Sequence, residues 1–251
     1  MNISASLRTA AGNRYRRNHD AALLGGQVLQ GDCAMAWQGH DGEPALVAVA
    51  DGVAAGACAA LASRFVLERL WAFALDGMPL NRALARALHE ALCERGRRQC
   101  HGMATTLATL QIAHGQANWL SIGDSRVYLF RDGVLRQLTR DHSLRAEWQD
   151  ATEDDDPSDL DNSAFDGLAS SLTADSAEAR FEVCMGGLAT VTGDRWMLCT
   201  DGVSSAVGHE VLSAMAQTCT DTSDWCAETI RKALSVPDNV DNASVIGLIV
   251  G

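Results

Sequence analysis

The sequence predicts an α+β domain built from mainly antiparallel sheets layered with helices. Three observations carry that expectation. Strand-like and helix-like segments come in blocks instead of strict alternation. Apolar residues make up 47% of the 251 positions, enough to bury a sizeable core. Aromatic residues are only 5%, so that core is expected to rest on Ala, Val and Leu.

The elements follow in chain order. Residues 3–8 alternate weakly and read as a first strand. Gly12 to Asp20 is polar and basic. Gly25-Gly26 and Gly31-Asp32 bracket a short segment that suits a hairpin. Residues 45–51 form an apolar run of the kind found in buried strands. Residues 57–75 repeat apolar side chains at helical spacing, and Pro79 suits the first turn of a second helix ending near Arg98. Strands are expected over 105–113, 117–122, 127–131 and 134–138, the last two joined by a hairpin turn at Asp132-Gly133. Asp141 is placed to cap a short helix reaching about Gln149. Further strands are expected around Trp196 and over 243–250, with helices over 209–217 and 222–234. No internal repeat of fixed period is present, and length alone leaves one large domain or two small ones open.

Residues 150–180 differ from the rest. They carry Glu153, Asp154, Asp155, Asp156, Asp159 and Asp161 beside Pro157. This reads as a solvated surface segment. The acidic positions do not follow calcium-loop spacing.

Composition excludes several function classes. The formal charge of −12 is the opposite of a nucleic-acid footprint, and an anionic membrane surface is not an expected partner. No apolar run reaches the roughly 18 residues of a membrane span. Met1 to Arg17 has no apolar stretch resembling a signal peptide. The eight cysteines form no CxxC pair, so zinc-ribbon and thioredoxin readings lack support. Reduced thiols and a cytoplasmic location are expected.

The chemistry-bearing residues sit at strand ends. Ala45 to Ala50 runs into Asp51-Gly52, and Trp196 to Thr200 runs into Asp201-Gly202. Asp241-Asn242 directly precedes the run Ala243 to Val250. One Asp-Gly pair is most often a turn. Three strand-end carboxylates from distant parts of the chain suggest one acidic cluster, the donor type that hard divalent cations require. Gly123-Asp124-Ser125-Arg126 lies between two predicted strands, so Asp124 is a candidate member and Arg126 a candidate brace.

Taken in order, the motifs resemble the metal-dependent protein phosphatases of the PPM family, the protein phosphatase 2C type. The segments are Asn18-His19-Asp20, Val49-Ala50-Asp51-Gly52, Ala104-Thr105-Thr106, Gly123-Asp124-Ser125-Arg126, Leu138 to Leu144, Gly193-Asp194-Arg195, Leu198 to Gly202 and Asp241-Asn242. The resemblance spans nearly the whole chain and implies a single domain over residues 1–251, a four-layer αββα sandwich with two central sheets flanked by helices. It implies a bacterial serine/threonine phosphatase that uses Mn²⁺ or Mg²⁺, two ions with a third in some members. Asp51 would bridge two metals, the Gly52 carbonyl would bind one, and Asp201 and Asp241 would hold the other. Asp20 would act through water, and Asp124 with Asp201 would take the third ion. A metal-bridging hydroxide would attack phosphoserine or phosphothreonine in line. The acidic segment falls where the family carries a variable flap, at about 145–180. The implied partners are phosphorylated proteins, a Ser/Thr kinase among them, with type VI secretion, cell-wall or stress signalling as settings; a monomer is expected.

The chain departs from the family pattern at three places. His19 stands where an acidic residue is usual. Tyr15 stands where an Arg usually grips phosphate, flanked by Arg14, Arg16 and Arg17, the candidate substrate-binding residues. Ala104 replaces a Gly. Tyr15 and His19 motivate an alternative: a catalytically weak domain that binds or senses a phosphorylated signalling partner.

Overall fold

The computed structural model describes residues 1–13, 17–40, 42–53, 58–151, 167–175, 181–237 and 241–251. The first four strands are β1 (Asn2–Ala10), β2 (Ala21–Leu24), β3 (Gln27–Gln30) and β4 (Cys33–His40). β5 (Ala45–Ala50) leads to the helix pair α1 (Ala59–Leu75) and α2 (Arg82–Gln99). Then come β6 (Ala104–Thr105), β7 (Leu107–Ala113), β8 (Gln116–Ile122), β9 (Arg126–Arg131) and β10 (Val134–Gln137). α3 (Leu144–Ala151), β11 (Leu172–Thr173), β12 (Cys184–Ala189) and β13 (Arg195–Cys199) follow. The chain ends with α4 (Asp201–Val207), α5 (His209–Thr218), α6 (Thr222–Leu234) and β14 (Ala243–Val250).

The strands form two six-stranded sheets, ordered β10-β9-β13-β14-β1-β4 and β12-β8-β7-β5-β2-β3, with a small β11-β6 pair. Every pairing is antiparallel. Three apolar cores separate the layers. Ile3, Leu7, Val47, Leu110, Trp196 and Ile246 fill the space between the sheets. Leu67, Leu70, Leu88 and Leu92 of α1 and α2 pack on the outer face of one sheet. Val203, Leu212, Trp225 and Ile230 of α4, α5 and α6 cover the other. This is the αββα sandwich, and alternation along β1 drives it: Ile3, Ala5 and Leu7 face the inter-sheet core.

Register brings the motif-bearing strand ends to one end of the sandwich. Ala50 pairs with Ala21, so Asp51 and Asp20 leave the sheet side by side. Cys199 pairs with Val245, which places Asp201 near Asp241. Leu107 pairs with Ile122, which brings the Thr105-Thr106 step beside Gly123-Asp124.

Several expected boundaries move. Pro79 lies outside α2, which starts at Arg82 because the Asn81 side chain accepts the Ala83 and Leu84 N–H groups. Asp141 caps nothing; it pairs with Arg126, and the Ser143 hydroxyl takes the Ala146 N–H. The expected strand 105–113 breaks at Thr106, whose N–H turns to the Asp51 carbonyl. β12 was not expected, because Gly186 and Gly187 dilute its strand pattern. α4 was hidden by the turn-like Asp201-Gly202. The expectation of reduced thiols fails at one pair: Cys58 and Cys100 are joined, with 6.4 Å between their Cα atoms. The other six cysteines are free. Among the described residues no helix is long and apolar enough to cross a membrane. Most of the predicted acidic flap, at 152–166 and 176–180, lies outside the described residues.

Candidate metal centre

Asp51 follows β5 into irregular chain, and its backbone is held at both ends. Its N–H donates to Thr106 Oγ1 at 3.0 Å. Its carbonyl accepts from Thr105 Oγ1 at 2.7 Å and from the Thr106 N–H at 2.8 Å. Thr106 Oγ1 also shares a 2.7 Å hydrogen bond with Ser125, next to Asp124. These hydroxyls are fully buried, so their bonds to the Asp51 backbone fix it in place.

Asp201 is held differently. It is the first residue of α4, with Thr200 at the N-cap. A helix N-terminus favours negative charge. Thr200 does not cap with its side chain. Its hydroxyl accepts the Ser244 N–H at 3.1 Å and donates to Asp20 Oδ2 at 2.8 Å. Asp20 N–H in turn donates to Asn18 Oδ1, and Asn18 Nδ2 donates to Thr9 Oγ1. The His19 N–H reaches Asn242 Oδ1 at 2.8 Å, which stitches the first motif to the last.

Both Asp-Gly glycines are demanded by neighbouring backbone. A Cβ on Gly202 would stand 1.9 Å from the Asn242 carbonyl oxygen, and one on Gly52 would stand 2.2 Å from that of Ala59. The glycines thus let other chain segments in close.

The carboxylates act on one another. Burial pushes Asp20 up to about 6, against hydrogen bonds from Ser244 and Thr200. Burial also raises Asp51 well above the ordinary carboxylate range, and the charges of Asp20, Asp201 and Asp124 add to it. Asp201 is raised by burial and by Asp124, Asp20 and Asp241. Asp124 reaches about 6, through burial first and then Asp141. Five predicted acidic residues from both sheets, Asp20, Asp51, Asp124, Asp201 and Asp241, therefore share one electrostatic neighbourhood.

The donor set fits divalent cations. Asp20 Oδ1 and Asp124 Oδ1 are buried and accept no hydrogen bond among the described residues. A buried carboxylate oxygen without a donor is costly unless a cation takes it. All the side-chain donors are hard oxygens. Among the described residues no three acidic, His or Cys groups already close on one point, as expected of like charges that repel.

The remaining predicted residues fall out as follows. Arg14 and Arg16 lie outside the described residues, as does Tyr15, and Arg17 is on the surface. Arg126 does not bind Asp124; it forms a bidentate pair with Asp141 and donates to the Tyr128 hydroxyl. His19 is lowered by burial, against a raising effect from Asp241. Asp194 of Gly193-Asp194-Arg195 sits at the opposite end of β13, gripped by Arg131 at 2.6 Å. Sequence reasoning assigned no role to Thr9, Ser63, Thr200 or Ser244. Their only signal is a hydroxyl inside an apolar pattern.

A layered sandwich that brings carboxylates from both sheets into one neighbourhood offers hard-oxygen donors on an αββα scaffold. The chain belongs to the protein phosphatase 2C family, whose model matches residues 21–236. It is 31% identical over 213 residues to the serine/threonine protein phosphatase PstP of Mycobacterium tuberculosis, across 79% of this chain and 36% of that protein. The chain thus spans about a third of the length of that relative. It is 28% identical over 221 residues to the serine/threonine phosphatase stp of Listeria monocytogenes, across 84% of this chain and 86% of that one. The structure superposes on the catalytic domain of PstP, solved with two manganese ions, with a TM-score of 0.76 and 26% identity, covering both chains completely.

Proposed function

We propose that this chain is a metal-dependent protein serine/threonine phosphatase. The observation that carries the proposal is that Asp20, Asp51, Asp124, Asp201 and Asp241, drawn from two sheets, share one electrostatic neighbourhood, with unpaired buried oxygens on Asp20 and Asp124. Manganese in the PstP structure supports a divalent ion, Mn²⁺ or Mg²⁺. Asp51 would lie between two ions, the Gly52 carbonyl would serve one, and Asp201 and Asp241 would hold the other. Asp20 would act through water, and Asp124 with Asp201 would take a third ion. Such ions supply Lewis acidity at the phosphoryl oxygens and lower the pKa of attacking water toward neutral.

The chain's own residues do the positioning. Thr105 and Thr106 hold the Asp51 backbone, Thr200 orients Asp20, and Asn242 fixes the His19 strand entry. Arg14, Arg16 or Arg17 would grip the phosphate, a contact worth roughly 1.5–3 kcal/mol for a charged hydrogen bond. The substrates would be phosphorylated proteins made by a Ser/Thr kinase, met in the cytoplasm.

The test is hydrolysis of a phosphothreonine peptide with and without Mn²⁺. Metal-stimulated release of phosphate, lost in Asp201→Asn, is expected. Bound Mn²⁺ and bound phosphopeptide without turnover would instead support the sensing alternative. No effect of metal and an unchanged Asp201→Asn variant would end the phosphatase reading.

A further inference from the structure

The disulfide lies at the base of the α1–α2 hairpin, and that base abuts the acidic cluster. Cys58 is the N-cap of α1, and its carbonyl accepts the Leu61 and Ala62 N–H groups. The next residue, Ala59, presses its carbonyl against Gly52. One turn further, the Ser63 hydroxyl donates to the His19 carbonyl, which also accepts the Gly52 N–H at 3.2 Å. The start of α1 thus touches both chain segments that carry Asp20 and Asp51.

Cys100 closes α2 and leads into the opposite wall. Four residues on, the Ala104 carbonyl accepts the Val53 N–H, and Thr105 and Thr106 bind the Asp51 carbonyl. The bond between Cys58 and Cys100 therefore clamps together the two walls around Asp51-Gly52. A Cα separation of 6.4 Å suits such a bond without backbone movement. Cys58 is exposed and Cys100 partly so, so a solution oxidant can reach the pair.

We propose that Cys58 and Cys100 form a redox latch that sets how tightly the acidic cluster holds divalent cations. The site takes a disulfide oxidant of the glutathione class. The Cys58 thiolate attacks glutathione disulfide, forms a mixed disulfide and releases one glutathione thiolate. The Cys100 thiolate then attacks Cys58 Sγ, forms the intramolecular bond and releases the second. Two protein thiols give up two electrons and two protons, and one glutathione disulfide becomes two glutathione thiols. Closing the bond holds α1 against Gly52 and His19, so less conformational freedom is left to lose when a cation binds. Opening it frees the hairpin base and weakens cation binding.

The inference rests on reading the cluster as a cation site, and the experiment separates the two. Mn²⁺ binding is measured by calorimetry on the full chain, after equilibration with glutathione disulfide and after reduction. Peptide mapping follows the Cys58–Cys100 bond in each sample. The latch predicts that the oxidised protein binds Mn²⁺ about 10-fold more tightly, in the range found for residues that support metal ligands. Cys100→Ser and Cys58→Ser should both bind like the reduced protein and ignore glutathione disulfide. Equal affinity in both redox states, or no Cys58–Cys100 peptide after oxidation, would overturn the latch and leave the cation site standing. No Mn²⁺ binding in either state would overturn both.

Discussion

Asp51-Gly52 and Asp201-Gly202 are the same dipeptide after the same kind of buried strand, yet the fold secures them in opposite ways. Asp51 sits in irregular chain, and side-chain hydroxyls from Thr105 and Thr106 bind its backbone. Asp201 opens a helix, so the α4 backbone itself sets its direction. Both glycines admit a neighbouring carbonyl, but Gly52 meets the start of a helix and Gly202 meets the last motif, Asn242. A carboxylate without secondary structure needs side-chain support, whereas one at a helix start carries its own. Damage to surrounding residues should therefore harm Asp51 more than Asp201.

The largest expected effect removes the charges themselves. Asp51→Asn and Asp201→Asn should each lower Mn²⁺-dependent turnover by more than about 100-fold, beyond the range for supporting residues. Steady-state kinetics on a phosphopeptide would show it. A loss of only a few-fold in either would take that residue out of the metal set.

Gly202→Ala and Gly52→Ala come next. Each forces a Cβ against a carbonyl oxygen, and overpacking costs about 1–3 kcal/mol. Urea unfolding should show both losses, the larger at Gly202, where the contact is 1.9 Å against 2.2 Å. A variant within about 0.5 kcal/mol of the parent would show that its carbonyl can step aside.

Thr106→Val tests the asymmetry directly. It removes the acceptor for the Asp51 N–H and the partner of Ser125. A stability loss of about 1–3 kcal/mol is expected from the stranded donor, with turnover down about 10-fold. Among the described residues no hydroxyl holds the Asp201 backbone in this way, so Thr106→Val should weaken Mn²⁺ binding only where Asp51 contributes. Equal weakening at every bound ion would erase the contrast.

A last effect is on pH. Asp20 and Asp124 are raised to about 6 in the metal-free fold, and burial and neighbouring carboxylates raise Asp51 and Asp201 as well. A raised folded pKa gives stability that is present below the unfolded carboxylate value and is lost as pH rises through the folded one. Metal-free protein should therefore lose stability from about pH 4 through about pH 6 and above. Mn²⁺ should cancel that loss, because it needs the ionised carboxylates. Thermal melts across pH, with and without Mn²⁺, would show two curves that diverge upward in pH; parallel curves would count against the cluster.

The buried strands and the first helix pair were legible from strong local signals, whereas the four-layer order and the role of Asp20 came only from the ordered motifs and the family they resemble. The run Ala45 to Ala50 and the stripe along α1 leave little ambiguity. Register was not legible, although it alone brings Asp20 beside Asp51 and Asp201 beside Asp241. The hydroxyls that position the site, Thr200 and Ser244 above all, looked like ordinary strand residues. Their function depends on partners 44 and 180 positions away in the chain. The Cys58–Cys100 pair was equally silent, since no spacing rule links cysteines 42 residues apart.

The proposed function requires above all that the carboxylates of both sheets jointly hold divalent cations. Calorimetric titration of Mn²⁺ into the parent protein, Asp51→Asn and Asp201→Asn tests it most directly. Saturable binding is expected in the parent, with a loss of at least one site, or about 10-fold or more in affinity, in each variant. Binding in both variants indistinguishable from the parent would contradict it.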